Sequence, residues 1–355
     1  MITLEKISID WLEKVSKSNR NADKILVEKV IRALLLLEGL VKHNLSFVFK
    51  GGTALMLHFN STKRLSIDID IIITSSISNL DIILDEIVKS QGFIRWELQE
   101  RNTNSKIKKE HYKLYYSPLH KTKKDEEYVL LDILYEQVIY QSLVSLPIQS
   151  DFVPHSGTSL SVKVPSLEDI LGDKLTAFAP NTTGIPYYKN ENSMGMEIIK
   201  QLYDIGNLFD VVSNAKVIRK TFLQFAKTEL EYRAISKNNE IDVLDDIFQT
   251  ALCVSSRGQI GKGNFDELQT GVRRIKGFIF SENYHIEKAI QTASKAAYLS
   301  QIIKYEQETI EKFEAPNQIK DFKIENPEFN KLNKLKKSNP EALFYWYKTI
   351  ELIKN

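Results

Sequence analysis

Asp68-Ile69-Asp70 lies within an otherwise apolar, β-branched run, Leu65–Ile73. Side chains alternate along a strand, so both carboxylates project from one face, with Cα atoms roughly 6.6 Å apart. That spacing lets them lean together on a hard cation, whose oxygen ligands sit about 2.1 Å away for Mg²⁺. With no cation, two such charges repel and one tends to hold a proton. Lys50-Gly51-Gly52-Thr53 stands shortly before, where the strand-like Phe47–Phe49 passes into the helical Ala54–Phe59. Glycines there let the backbone approach a ligand, and a helix N-terminus offers unpaired N–H groups to phosphate oxygens. A lone DxD reads more readily as a solvated turn, and a lone Gly-Gly as a tight turn. On consecutive strands the two describe a nucleotide triphosphate held by backbone amides, with its metal held by paired aspartates.

The elements that must position these residues follow from periodicity. Ile25–Val41 repeats apolar positions every three or four residues and predicts an amphipathic helix. Strands are expected at Phe47–Phe49, Leu65–Ile73, Tyr112–Tyr116 and Tyr128–Tyr135, with Ile139–Pro147 adding an edge and a helix over Leu80–Val88. The fold class is therefore α+β: a mixed sheet flanked by helices, then a helical bundle. Ser166 caps a helix reaching about Phe178, with Asp169 completing the looser capping box. Further helices are expected over 195–212, 215–232, 240–253, 265–280, 284–313 and 340–354. The division falls near 160, giving domains 1–160 and 161–355.

Composition narrows the function. Lys and Arg total 48 against 46 Asp and Glu, a net charge of +2, which excludes a uniformly cationic coat protein and an acidic disordered chain. The single cysteine, Cys253, excludes an internal disulfide and a cysteine zinc site, and suits a reducing cytoplasm. Residues 1–15 carry Glu5, Asp10 and Glu13, so no signal peptide is expected, and no run approaches the roughly 20 apolar residues of a membrane span. A soluble, cytoplasmic protein is expected. The six histidines show no zinc-hydrolase spacing.

Four blocks together resemble a known family. They are FVFKGGTALMLHF (Phe47–Phe59) with RLSIDIDI (Arg64–Ile71), the strand Tyr128–Tyr135, SLEDILGDKLTAFAPNTTGIPY (Ser166–Tyr187), and KQLYDIGNLFD (Lys200–Asp210). Their order and spacing resemble the nucleotidyltransferase superfamily that includes DNA polymerase β, and more narrowly the AbiEii/AbiGii toxins of toxin–antitoxin and abortive-infection systems. The resemblance spans roughly Leu26 to Asp210. It implies metal binding by Asp68 and Asp70, and a phosphate-contacting turn at Gly51, Gly52 and Thr53, with Lys50 beside it. It implies a triphosphate-facing Lys174, a late aspartate Asp204 at the same pocket, and Asp132 as the carboxylate that activates the acceptor hydroxyl. The helical domain would thus contribute Lys174 and Asp204 to the active-site cleft.

Plainer readings stand beside these. Asp132 reads also as a helix cap, Lys174 as a solvated basic residue, and Asp204 as the helix partner of Lys200 four residues earlier. Arg64 touches a phosphate or pairs with a surface acid, and Asn181–Gly184 is a nucleotide loop or simple turn chemistry.

The resemblance implies an Mg²⁺-dependent transferase that moves a nucleotide from an NTP to an acceptor, most simply a tRNA 3′ end, with a cognate antitoxin as partner. Residues 101–124 support an RNA partner: Arg101, Lys106, Lys108, Lys109, Lys113, Lys121, Lys123 and Lys124 face one acid, Glu110, with Tyr112, Tyr115 and Tyr116 interleaved. A solvated hairpin explains that stretch equally. The alternatives are a non-catalytic module of the same fold, or transfer to a protein or small molecule.

Overall fold

The protein is described by a computed structural model that covers its 355 residues except 60–62, 76, 100–107, 121–124, 234, 236 and 355. The chain divides into two compact units, Met1–Ser166 with Gly277–Asn283, and Leu167–Lys276 with Tyr284–Asn355. The first therefore extends six residues past the expected division and takes back a short later segment.

In the first unit the chain runs α1 (Ile9–Ser18), α2 (Lys24–Lys42), β1 (Val48–Lys50), α3 (Gly51–His58), β2 (Ile69–Ile73), α4 (Leu80–Ser90), β3 (Arg95–Leu98), β4 (Lys109–Tyr116), β5 (Glu127–Tyr135), β6 (Leu143–Pro147) and β7 (Ser161–Pro165). Ser8 and Asp23 cap α1 and α2 by accepting from backbone N–H groups of the first turn. The main sheet has the order β1-β2-β5-β4-β3, with β2 and β5 parallel and the other neighbours antiparallel. It is the expected mixed sheet.

One face of that sheet is apolar. Phe49, Ile69, Ile71, Leu131, Ile133 and Leu114 join Val27, Ile31, Leu34 of α2 and Leu84, Ile87 of α4 in one core. Helix α2 also buries Glu28 and Arg32, charges that need partners away from water. Glu28 pairs with Arg32 at 3.2 Å and accepts from the Leu119 amide, while Arg32 donates to the Gly92 carbonyl. The opposite face carries the polar residues of the strands, which prepares the site.

Several elements differ from expectation. Ile139–Pro147 adds no edge to the main sheet; Leu143–Pro147 pairs antiparallel with β7 in a separate two-stranded sheet. Arg95–Leu98 is an edge strand absent from the expectations: its four residues alternate polar and apolar, but the run is short and largely exposed. The helix expected over 265–280 stops at Arg274; a 3-10 turn follows at Ile275–Gly277. Phe278 then forms a turn and Ile279 bridges Arg64, while the Leu65 amide donates to the Phe278 carbonyl at 2.7 Å. The aromatic and β-branched residues there favour the bridge over a helix.

The second unit runs α5 (Leu167–Ala177), a hairpin β8 (Tyr188–Lys189) and β9 (Asn192–Ser193), α6 (Gly195–Val211), α7 (Ala215–Tyr232), α8 (Glu240–Ser255), α9 (Phe265–Arg274), α10 (Ile286–Lys304), α11 (Leu335–Ser338) and α12 (Pro340–Lys354). Helix α10 is its buried axis, and Ala289, Ala293, Ala296 and Ala297 let neighbouring helices approach closely. It ends nine residues before the expected limit of 313, where Glu306 takes a left-handed backbone (φ 56).

Candidate active site

The turn from β1 into α3 is built around side chains of the following strand. Gly51 has φ +81, and a Cβ on it would lie 2.2 Å from Asp70 Oδ2. The dihedral favours glycine, and a side chain there would require the Asp70 carboxylate to move. A Cβ on Gly52 would lie 2.6 Å from Arg64 Nη2 and 2.8 Å from Ser66 Oγ. Thr53 is fully buried, and its hydroxyl donates to the Asp68 carbonyl at 2.6 Å. The turn is thus tied residue by residue to the strand that carries the two aspartates. Arg64 is itself buried, at 8% exposure, and Nη1 donates to the Leu65 carbonyl.

Strand register gathers the polar groups into a row. Lys50 is the partner of Asp70 across β1 and β2, Asp70 of Asp132 across β2 and β5, and Asp132 of His111 across β5 and β4. Neighbouring strands are about 4.8 Å apart, so these four positions stand side by side. Their flanking residues Ile69, Ile71, Leu131 and Ile133 are buried in the core, and alternation sends the row to the other face. Lys50, Asp70, Asp132, His111 and Lys109 line a cavity there of about 180 Å³. Asp68 immediately precedes the first residue of β2 and is half-buried.

His111 is absent from the sequence expectations. Its Nδ1 lies 2.6 Å from Asp132 Oδ1; with Asp132 ionised the carboxylate only accepts, and Nδ1–H is then the donor. A lone histidine in a strand has no motif to announce it. Only the pairing of β4 with β5 reveals its partner.

The donors suit a hard cation rather than zinc, being carboxylate oxygens on adjacent strands. Among the described residues no group of three or more His, Cys, Asp or Glu is already assembled to hold an ion. Mg²⁺ commonly takes one or two carboxylates and completes its shell with water and substrate phosphate, so the residues present fit it as an ion that arrives with a nucleotide.

Lys174 and Asp204 meet each other within the second unit. Their Nζ and Oδ2 are 2.7 Å apart, with side chains only 8% and 4% exposed, and Lys174 also donates to Gln201 Oε1. The solvated reading of Lys174 is therefore excluded. Burying an ammonium costs several kcal/mol unless it is paired, roughly the situation this carboxylate answers. Lys200 reaches Glu197 at 2.9 Å.

The Asn181–Gly184 loop is held by Asp246 of α8. The Asn181 amide, Asn181 Nδ2 and the Thr182 hydroxyl donate to its carboxylate at 2.8, 2.6 and 2.9 Å. Burial nonetheless raises the Asp246 carboxyl above its ordinary range. These side chains serve the loop's own structure. Of the basic stretch, Arg101, Lys106, Lys121, Lys123 and Lys124 lie outside the described residues. Lys113 sits 4.7 Å from the Tyr128 ring, while Lys108 pairs with Glu110.

Comparison with curated proteins finds no match. Among solved structures the chain is similar to JHP933 from Helicobacter pylori, at 16% identity and a TM-score of 0.42, over 79% of this chain and 93% of that one. A second H. pylori protein, described as a candidate nucleotidyltransferase, gives 18% and 0.39 over 78% and 92%. An antigenic nucleotidyltransferase-like protein from Paracoccidioides brasiliensis gives 15% and 0.32 over 66% and 95%. What places the chain is its own sequence: the profile of the family described as nucleotidyl transferase AbiEii toxin, type IV toxin–antitoxin system, matches residues 35–269. That span takes in the glycine turn, the aspartate strand, Asp132, Lys174 and Asp204, and the chain belongs to the AbiEii family of nucleotidyltransferase toxins.

Proposed function

We propose that this chain transfers a nucleotide from an NTP to RNA, most specifically to a tRNA 3′ end, and that a cognate antitoxin restrains it. The observation that carries the proposal is the row Lys50, Asp70 and Asp132 across three strands, beside a turn whose Gly51 is packed against Asp70. The acceptor hydroxyl oxygen bonds to the α-phosphorus, the bond from that phosphorus to the bridging oxygen breaks, and pyrophosphate leaves. Asp132 takes the hydroxyl proton. Lys50 offers positive charge beside the phosphates, and the N-terminus of α3 offers backbone N–H groups. Mg²⁺ held by Asp68 and Asp70 would supply Lewis-acid charge to the phosphate oxygens. Lys174 and Asp204 enter this machinery on the family's pattern alone.

Lys109 and Lys113, with Tyr115 and Tyr128, share the open face of the sheet with Asp132, and interleaved cations and rings suit a single-stranded backbone and its bases. Among the described residues no helix is long and apolar enough to cross a membrane, and we place the activity in the cytoplasm, where NTPs and tRNA are found.

Each NTP, labelled at the α-phosphate, is incubated with the protein, Mg²⁺ and total RNA. Label in RNA with the wild type, and none with Asp70→Asn, is expected. Label on a protein or small metabolite would move the acceptor, and no transfer by the wild type would end the catalytic reading in favour of a binding module.

A further inference from the structure

The pairing of β4 with β5 sets an imidazole against the carboxylate proposed to accept the proton, which no motif of the chain foreshadows. We propose that His111 is the positioning residue for Asp132: its Nδ1–H holds Oδ1, leaving Oδ2 to take the proton of the acceptor hydroxyl. This rests on the transfer reading above and extends it to a residue outside the family blocks.

Three observations converge. The contact is short, 2.6 Å, and in register, so it needs no distortion of the ladder. Asp132 is 31% exposed at its side chain, whereas His111 is 14% exposed, so the ring is the more fixed partner. Asp132 also stands beside Asp70, a like charge that would push its carboxylate toward solvent if nothing anchored it. Among the described residues the Asp132 carboxylate has no hydrogen-bond partner besides His111.

A structural role alone is a poor account of the bond. Strands β4 and β5 are already joined along Lys109–Tyr116 by a full antiparallel ladder. One half-exposed side-chain contact adds little to that, about 1 kcal/mol by ordinary measure. Positioning has a larger effect, since small displacements of a reacting group cost on the order of 100-fold in rate.

The balance of the step is unchanged by His111. The acceptor O–H bond breaks and its proton goes to Asp132 Oδ2; the oxygen's electron pair forms the new bond to the α-phosphorus, and pyrophosphate departs with the pair of the broken bond. His111 keeps its proton throughout.

The test compares wild type with His111→Ala, His111→Leu and His111→Asn, using labelled NTP and total RNA as probes. In the Ala and Leu variants kcat is expected to fall about 10- to 100-fold with KM for NTP within about threefold, the signature of an interaction that matters in the transition state. The Asn variant, whose amide N–H reproduces the Nδ1 donor, is expected within about fivefold of wild type. Thermal midpoints should fall by no more than about 4 °C in any variant, the shift that a contact of about 1 kcal/mol allows. In an Asp132→Asn background, His111→Ala should cost nothing further, because the two act as a unit. Unchanged kcat in both Ala and Leu, an Asn variant as poor as Leu, or an undiminished cost in the Asp132→Asn background each overturns the proposal while leaving transfer intact. If Ala lowers the midpoint further, the Leu and Asn pair decides. No transfer by the wild type overturns the transfer reading itself, and this proposal with it.

Discussion

Gly51 and Asp70 share a space that a side-chain carbon could enter only by displacing the carboxylate, since a Cβ on the glycine would lie 2.2 Å from Asp70 Oδ2. The glycine therefore makes room first for the protein's own carboxylate. It brings the N-terminus of α3 against that carboxylate. Gly51→Ala should displace Asp70 and force a left-handed alanine, a backbone cost of about 1–2 kcal/mol. A clear drop in thermal midpoint with transfer reduced at least about 100-fold is expected. Transfer at the wild-type rate would show that the Asp70 position is not critical.

Asp70→Asn and Asp132→Asn should separate binding from the chemical step. Each removes one of two neighbouring like charges, which relieves their repulsion, so the folded state should lose little. Asp132→Asn should lower kcat by about 10²–10⁴ with NTP binding retained, as for loss of a general base. Asp70→Asn should also weaken the Mg²⁺ dependence. Calorimetric NTP titration beside the transfer assay checks both.

Lys174 and Asp204 carry opposite consequences for stability and activity. Removing one partner leaves the other charged and buried, a loss of about 3–5 kcal/mol for Lys174→Met or Asp204→Leu alone. Replacing both together should recover most of the stability, because apolar pairs often substitute well for buried ion pairs. Transfer should stay lost in the double variant. Full activity there would assign the pair a purely architectural role.

Lys312 predicts a pH dependence of stability. Its Nζ donates to the Phe209 carbonyl and lies 3.9 Å from the Phe209 ring. Burial pulls its ammonium down to about 8 from an ordinary 10.5, against the opposing pull of Asp210 and with the help of Lys295. Between those values the unfolded chain holds more protons than the folded one, so this group makes stability rise with pH from about 8 to 10.5. Lys312→Met should lack that rise, and the wild-type midpoint should gain on the variant's across the window. Parallel midpoint curves would contradict the assignment.

Local pattern alone determined a good part of this protein. Apolar periodicity marked α2, the Ser166–Asp169 capping box marked the start of α5, and β-branched and aromatic runs marked β2 and β5. The glycine turn and the two aspartates were legible as types at a spacing, whereas Asp132, Lys174 and Asp204 stood out only through the resemblance of the four blocks to a nucleotidyltransferase family. Tertiary structure decided what each residue faces. The β4–β5 register brought His111 to Asp132 from 21 residues away in sequence. Packing of α5 with α6 buried Lys174 on Asp204, and the close passage of residues 64–70 explained both glycines. It also drew Phe278–Phe280 out of the expected helix to pair beside Arg64. Periodicity reports one element's own faces over a few residues. Register and burial depend on segments far apart in sequence, and no local pattern carries them.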